Sequence, residues 1–266
     1  MKKPIWWVGG ALIALCVVAL LYSWWSNRRT APPAPPASAA RPAAPPAIAN
    51  PVPEPQAEAV KSLPALEASD MPLRDALTQL VGNKPIDDLL NPRDIIRHIV
   101  ATIDNLPRHR VAVELRPVRP VAGQFLAVGD EQQSTISPAN FARYQPYVQT
   151  LQMLDAKMLA TLYFRFYPLF QQSYQALGYP TGYFNDRLVE SIDDMLATPD
   201  PQGPLMLTRP NVMYQYADSK LEAASAGQKL LMRMGPDNAA TVKAKLRELR
   251  AELTQRTRHD SDTRQR

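Results

Sequence analysis

The sequence predicts a mainly α-helical domain with a small β hairpin or meander (α+β), preceded by one transmembrane helix and a disordered linker. Three observations predict this architecture. Residues 5–25 are apolar and uncharged, residues 26–60 are rich in proline and alanine, and residues 61–253 place apolar residues at helical spacing. Because each composition suits a different environment, we divide the chain into an anchor, a linker and a globular domain.

The N-terminal apolar run has the length and the flanks of a transmembrane helix. At ~1.5 Å of rise per residue, residues 5–25 span about 30 Å, the hydrocarbon thickness of a bilayer. Indole rings favour the headgroup level, and all 4 tryptophans of the chain stand at the ends of this run: Trp6, Trp7, Trp24 and Trp25. A cleaved secretory signal would need a small-x-small site close behind the run, yet the nearest such triplet begins at Ala37. We therefore expect an uncleaved signal anchor.

The charges around the run indicate its orientation. Two lysines and the amino terminus precede it and slightly outweigh the two arginines that follow, and Arg41 is the only basic residue from 30 to 60. Since positive flanks favour the cytoplasmic side, residues 1–4 are predicted to be a short cytoplasmic tail. The predicted location is the bacterial inner membrane, with a single span and the large domain in the periplasm.

Residues 26–60 form the predicted linker. Ten prolines lie between Ala31 and Pro55, and they remove backbone donors that helices and sheets need. Such a segment favours extended polyproline II at ~3.1 Å per residue and could hold the domain up to about 90 Å from the bilayer. The linker is either a spacer through the cell-wall layer or a tether of no special length. A third interpretation is a ligand for a proline-recognition domain.

Helix signals dominate the globular domain. Asp70 can cap a helix that stops at Gly82, and Asn91-Pro92 is a helix start whose apolar face runs to a break at Leu106. Further helices are predicted from Ser137-Pro138 with a break at Pro146, from Asp155 to Gly178, from Tyr183 to Leu196, from Ala223 to Met234 and from Asp237 to Leu253.

The β signals are short and lie mostly in one region. Residues 111–115 and 123–128 alternate or are apolar, a Gly-Asp turn leads to residues 134–136, and residues 205–207 are a further candidate strand. Residues 254–266 are predicted to be a disordered basic tail.

Aromatic residues are concentrated in one part of the domain. Helical spacing favours core packing for most of them. They are Phe141, Tyr144, Tyr147, Tyr163, Phe164, Phe166, Tyr167, Phe170, Tyr174, Tyr179, Tyr183 and Phe184. Tyr179 and Tyr183 flank a Pro- and Gly-containing turn that could present them to a partner or a sugar ring, and with Arg187 they are the candidate partner-binding residues. We also expect Arg165 to pair with a carboxylate among these rings.

The sequence predicts no catalytic residue, no cofactor site and no metal site. His98 follows Asp94 by four residues on one helical face, a spacing that fits an ion pair on a solvated helix or help in holding a metal. Gly-rich phosphate loops and the common hydrolase and metalloprotease motifs do not occur. The net charge of +5 arises at the two ends of the chain, so no nucleic-acid partner is expected and the oligomeric state is unknown.

Four runs of the domain resemble the bacterial domain of unknown function 3014 family. They are Ser137–Tyr144, Tyr163–Leu169, Gly182–Glu190 and Gln228–Pro236. The resemblance extends from residue 63 to residue 253, and the anchor followed by a proline-rich linker is also similar to that family's layout. The family has no assigned activity, so the resemblance implies no catalytic or binding residues.

Two functional hypotheses follow. The first is a non-enzymatic envelope protein, anchored by one inner-membrane span, whose helical domain binds another envelope protein or a cell-wall polymer. The second is an envelope hydrolase or transferase that uses carboxylates around Glu190, Asp193 and Asp194, assisted by Arg187.

Overall fold

Nine α-helices and four short β-strands form within the residues that the computed structural model describes, which are 47–53, 62–130, 134–210 and 212–264. The helices are α1 (Asp70–Val81), α2 (Asn83–Leu89), α3 (Ile95–Asn105), α4 (Ala139–Met153), α5 (Ala156–Ala176), α6 (Phe184–Leu196), α7 (Ser219–Glu222), α8 (Ala226–Arg233) and α9 (Pro236–Arg264). The strands are β1 (Ala127–Val128), β2 (Ser134–Ile136), β3 (Met206–Thr208) and β4 (Gln215–Tyr216). The predicted mainly helical α+β class is confirmed.

The predicted transmembrane helix lies outside the described residues, and so does most of the predicted linker. Among the helices of the described ranges, none is both long and apolar enough to cross a bilayer. The part of the chain from Pro46 to Arg266 forms one unit by itself.

The main core lies where α1, α3, α5 and α6 meet. Its most buried side chains include Ile95, Phe166 and Phe184, and the rings of Phe170 and Phe184 stack with centroids 5.8 Å apart. The apolar spacing on α3 and α5 predicted which faces of these helices are buried, because residues three or four apart share one helical face. Core packing is therefore confirmed for the aromatic residues of α5.

Helix α9 also packs against α5 and α6. It contacts α4 and α8 as well, and it buries Val242 and Leu253 in two smaller apolar clusters. The helix continues to Arg264. Its last turns therefore include residues 254–264, for which the sequence had predicted a disordered tail.

The strands form one antiparallel sheet in the order β1-β2-β3-β4. Ile136, Leu207 and Tyr216 face a shared apolar cluster with Met232 of α8. The sequence predicted β1, β2 and β3 but missed β4, in which Gln215 precedes a single aromatic residue. Residues 111–115 are not a strand; they contain a 3-10 turn at Val113–Leu115. A β-bridge forms just after these residues, where Val118 pairs antiparallel with Leu90.

Predicted features of α1, α3 and α4 differ in the structure. Asp70 does not cap its own helix; its carboxylate accepts the N–H groups of Asp94 and Ile95, each at 2.8 Å, and so caps α3. Helix α3 consequently begins at Ile95 rather than at Asn91-Pro92. Helix α4 runs through Pro146 without a break. Proline removes the bond to the carbonyl of Ala142, and because both residues are exposed, water can satisfy that carbonyl.

Candidate functional site

The turn between α5 and α6 brings the predicted partner-binding residues to the N-terminal end of α6. Gly178 has a φ of 116°, which ends α5 and reverses the chain. A Cβ at Gly182 would lie 2.8 Å from a ring carbon of Tyr174, so only glycine fits there. The turn stacks the ring of Tyr179 on that of Tyr174, with centroids 4.6 Å apart. Its shape therefore fixes where Tyr179 lies before α6 begins.

One side of this end of α6 is an ion-pair cluster around Asp104. Asp104 lies in the last turn of α3, and its side chain is only 5% exposed. Its carboxylate accepts bonds from Arg187 Nε at 3.0 Å and from Arg108 Nη2 at 2.8 Å, and Tyr179 Oη lies 3.3 Å from Oδ2. Arg187 also donates to the main-chain carbonyl of Asp104. We call Asp104, Arg108, Tyr179 and Arg187 the Asp104 cluster.

The charges of the Asp104 cluster compensate one another. The negative charge of Asp104 is the main cause of the raised pKa of Arg108. Burial acts to lower the pKa of Arg187, but the hydrogen bond that Arg187 donates to Glu190, and the negative charges of Glu190 and Asp104, raise this pKa overall. Burial, with the nearby charge of Asp104, raises the pKa of Tyr174. The pair of Arg187 with the buried Asp104 holds α6 to α3, and the half-exposed Arg108, just after α3, supplies a second positive charge, so the role of this cluster is structural.

The other side of this end of α6 binds a distant segment of the chain. The Asp186 carboxylate accepts the N–H of Ala49 at 3.0 Å and the N–H of Asn50 at 2.6 Å, and the Asn50 side chain also donates to it at 3.0 Å. Asn185 Nδ2 donates to the carbonyl of Asn50 at 2.9 Å. The N–H of Val52 donates to the hydroxyl of Tyr183. We call Tyr183, Asn185 and Asp186 the docking site, and residues 49–52 the docked segment.

Buried side chains hold the docking site in position. Tyr163 Oη donates to Asn185 Oδ1 at 3.1 Å, which leaves the Asn185 amide group to face the docked segment. The Tyr183 ring packs on Tyr167, with centroids 5.7 Å apart. Burial is the main cause that raises the pKa of Tyr163 and of Tyr167 well above the ordinary tyrosine value. Both hydroxyls therefore stay protonated and serve as donors over the whole physiological range.

The structure separates the three residues predicted to bind a partner. Tyr179 and Arg187 lie together in the Asp104 cluster, where their polar atoms have intramolecular partners. Tyr183 lies in the docking site and contacts Val52. Binding of another molecule by these residues stays a prediction.

Sequence reasoning missed the residues that complete both groups. Asp104 and Arg108 stand four apart at the end of α3, a spacing typical of an ion pair, and this was a usable signal. Nothing in the sequence indicated that Asn185 and Asp186 bind the linker, because the contact joins residues more than 130 positions apart.

The carboxylates of the enzyme hypothesis each have a different partner. Glu190 pairs with Arg187 at 2.8 Å, Asp193 pairs with Arg250, and Asp194 accepts a bond from Ser225 at 2.6 Å. Asp193 and Glu190 are exposed. The three groups therefore share no common site in this structure.

The histidine and arginine expectations were also wrong in detail. Asp94 pairs with Arg97 at 2.9 Å rather than with His98, whose Nδ1 is buried without a hydrogen-bond partner. Over the described ranges, histidine, cysteine and carboxylate side chains form no group that could hold a metal ion. Among the residues that the structure describes, Arg165 does not pair with a carboxylate as expected. It is exposed, so water can solvate its charge, and its guanidinium carbon lies 5.5 Å from the centre of the Phe166 ring.

Comparisons with known proteins identify the family. Searches of curated proteins and of solved structures give no match. The sequence profile of the family described as Protein of unknown function (DUF3014) matches residues 95–250, which is more than half of the chain. The match includes the Asp104 cluster and the docking site but not the docked segment. The resemblance seen in the sequence is thereby confirmed, and the chain belongs to the DUF3014 family of proteins of unknown function.

Proposed function

We propose that the chain is a membrane-anchored interaction protein of the bacterial envelope, whose helical domain binds another envelope protein on the periplasmic side. The observation that carries this proposal is the docking site, where three side chains at one helix end hold residues 49–52 mainly by their main chain. Side chains that satisfy the backbone of a distant segment can satisfy the backbone of another polypeptide in the same way.

Location is the second part of the proposal. It is supported by the apolar run at residues 5–25, the tryptophans at its ends and the basic residues outside it. A proline-rich linker between the anchor and the domain would let the domain reach a partner away from the bilayer. The hydrolase or transferase hypothesis is not favoured, because its three carboxylates have three separate partners.

The first test measures location in the full chain. A reporter that is active only outside the cytoplasm is fused after residue 266, and the membranes are extracted at alkaline pH. We expect an active reporter and a protein that stays with the membrane pellet. An inactive reporter or a soluble protein would refute the envelope assignment.

The second test measures partner binding in intact cells. A photo-crosslinking amino acid replaces Tyr183 in the docking site or, as a matched control on the same helix, the exposed Asp193. We expect a discrete heavier adduct with another envelope protein from position 183 and none from position 193. Equal labelling from both positions would show non-specific contact and would contradict the proposal.

A further inference from the structure

The docked segment is held mainly through its backbone, and each of its backbone N–H groups donates a hydrogen bond to the docking site. Ala49, Asn50 and Val52 each donate an N–H to the docking site. Pro51 is the one residue between 49 and 52 that has no N–H. A proline therefore costs no hydrogen bond at this position.

Two side chains of the docked segment add selectivity. The side-chain amide of Asn50 donates to Asp186 at 3.0 Å. The main-chain carbonyl of the same residue accepts from the side chain of Asn185. The side chain of Val52 packs against the main apolar core. Asn50 is the only asparagine from 30 to 60, whereas alanine and proline recur throughout that range. The amide contact therefore selects one register of the proline-rich sequence.

We propose that the docking site is a recognition site for peptide segments containing asparagine-proline followed by an apolar residue. The chain's own residues 49–52 then act as an intramolecular competitor, which a partner segment of the same chemistry displaces. This inference rests on the proposed function, since it names the class of partner segment that the interaction protein binds.

The covalent connection sets how strongly the chain's own segment competes. Residues 54–61 join the docked segment to the domain, and a connection this short gives an effective concentration on the order of millimolar. A free peptide of equal intrinsic affinity must exceed that concentration to displace it. Weakening the chain's own segment should therefore expose the site to free peptide.

The test measures binding of a fluorescent peptide with the sequence of residues 47–53 to the full chain in detergent micelles, by fluorescence anisotropy. An opened variant carries Asn50→Ala and Val52→Ala, which remove the amide contact and the apolar contact of the chain's own segment. We expect the opened variant to bind the peptide at least about tenfold more tightly than the wild-type chain does, because two contacts of the competitor are lost.

Two further measurements locate the binding. Adding Asp186→Asn to the opened variant should weaken peptide binding about tenfold or more, because it removes the charged acceptor of three bonds. Adding Asp193→Asn instead, an exposed residue of the same helix, should leave binding unchanged. A peptide in which alanine replaces asparagine tests the same contact with no change to the protein, which covers the case in which the Asp186 variant fails to fold.

The inference is overturned if the opened variant binds the peptide no better than the wild-type chain, or if neither Asp186→Asn nor the altered peptide weakens binding. These outcomes leave the proposed function standing when position 183 still crosslinks to an envelope protein in cells. Loss of that crosslink with retained peptide binding would instead refute the proposed partner and keep the docking site.

Discussion

Asp186 and Arg187 are neighbours in the first turn of α6, yet they belong to two regions with opposite properties. Arg187 is 14% exposed and joins a closed cluster in which a buried carboxylate is compensated by guanidinium groups. Asp186 binds the main-chain and side-chain N–H groups of a segment far away in the chain. Among the described residues, Asp186 forms no ion pair of its own.

The comparison shows how one helix end can serve both stability and binding. Removing one partner of a buried ion pair leaves an uncompensated charge in the interior, so the Asp104 cluster is locked in place. A carboxylate that is satisfied by peptide N–H groups can exchange them for the N–H groups of another segment or of water. The closed cluster therefore holds the helix in position, whereas the contacts of the docking site are of the kind that another segment can replace, as the proposal requires.

The largest expected effect comes from breaking the closed cluster. We expect Asp104→Asn to lower the free energy of unfolding by about 3 kcal/mol, because Arg187 and Arg108 lose their shared buried counter-charge. Asp186→Asn should lower it by less than about 1 kcal/mol, since the bonds it loses are partly exposed. Urea unfolding followed by circular dichroism measures both values. Equal losses from the two variants would contradict the division into a locked and an exchangeable region.

The second expected effect is a loss of stability at alkaline pH. It concerns Tyr163, which holds Asn185 of the docking site in position. The pKa of Tyr163 is raised well above its ordinary value of 10.0, mainly by burial. Above about pH 10 the unfolded chain loses this proton while the folded chain keeps it, so the stability of the fold decreases as pH rises further.

Thermal unfolding between pH 8 and pH 11 measures this decrease. Tyr163→Phe should show a flatter profile above pH 10, because it has no proton to lose at that position, although its stability at neutral pH is lower without the bond to Asn185. An unchanged slope in this variant would show that other groups dominate the alkaline transition.

The smallest effects are expected from removing one tyrosine hydroxyl in the Asp104 cluster and one in the docking site. Tyr179→Phe keeps the ring stack on Tyr174 and loses only the bonds to Arg108 and Asp104, so the stability loss should be about 1 kcal/mol or less. Tyr183→Phe should leave global stability nearly unchanged but accelerate hydrogen exchange of the Val52 N–H. Hydrogen-exchange mass spectrometry distinguishes these results; unchanged exchange at Val52 would mean that the hydroxyl contact does not hold the docked segment.

Local sequence patterns predicted most of the helical architecture. The apolar spacing of α3, α5 and α6 is repetitive enough to identify their buried faces, and Asp155 caps α5 as predicted, accepting the N–H of Met158 at 2.8 Å. Helix α2 was missed, because Gly82 was interpreted only as the stop of α1. The break expected at Pro146 was wrong. The carbonyl of Ala142, which loses its hydrogen bond there, lies at an exposed position, and this exposure could not be predicted from the sequence.

The candidate site could be predicted only in part. The sequence placed Tyr179, Tyr183 and Arg187 in one turn and one helix start, but their division between two regions depends on contacts with α3 and with the linker. Asp70 is a parallel case, since its carboxylate caps a helix 25 residues further along the chain rather than its own.

The sequence by itself determined the helix-rich class, the family and the expectation of an anchor with a proline-rich linker, because composition, periodicity and motifs are properties of neighbouring residues. Only the tertiary structure decided that Asp104 pairs with two arginines and that Asp186 binds residues 49 and 50. Such pairings depend on which helix ends meet in space, and the burial of the apolar core, not the local pattern of charges, determines that meeting.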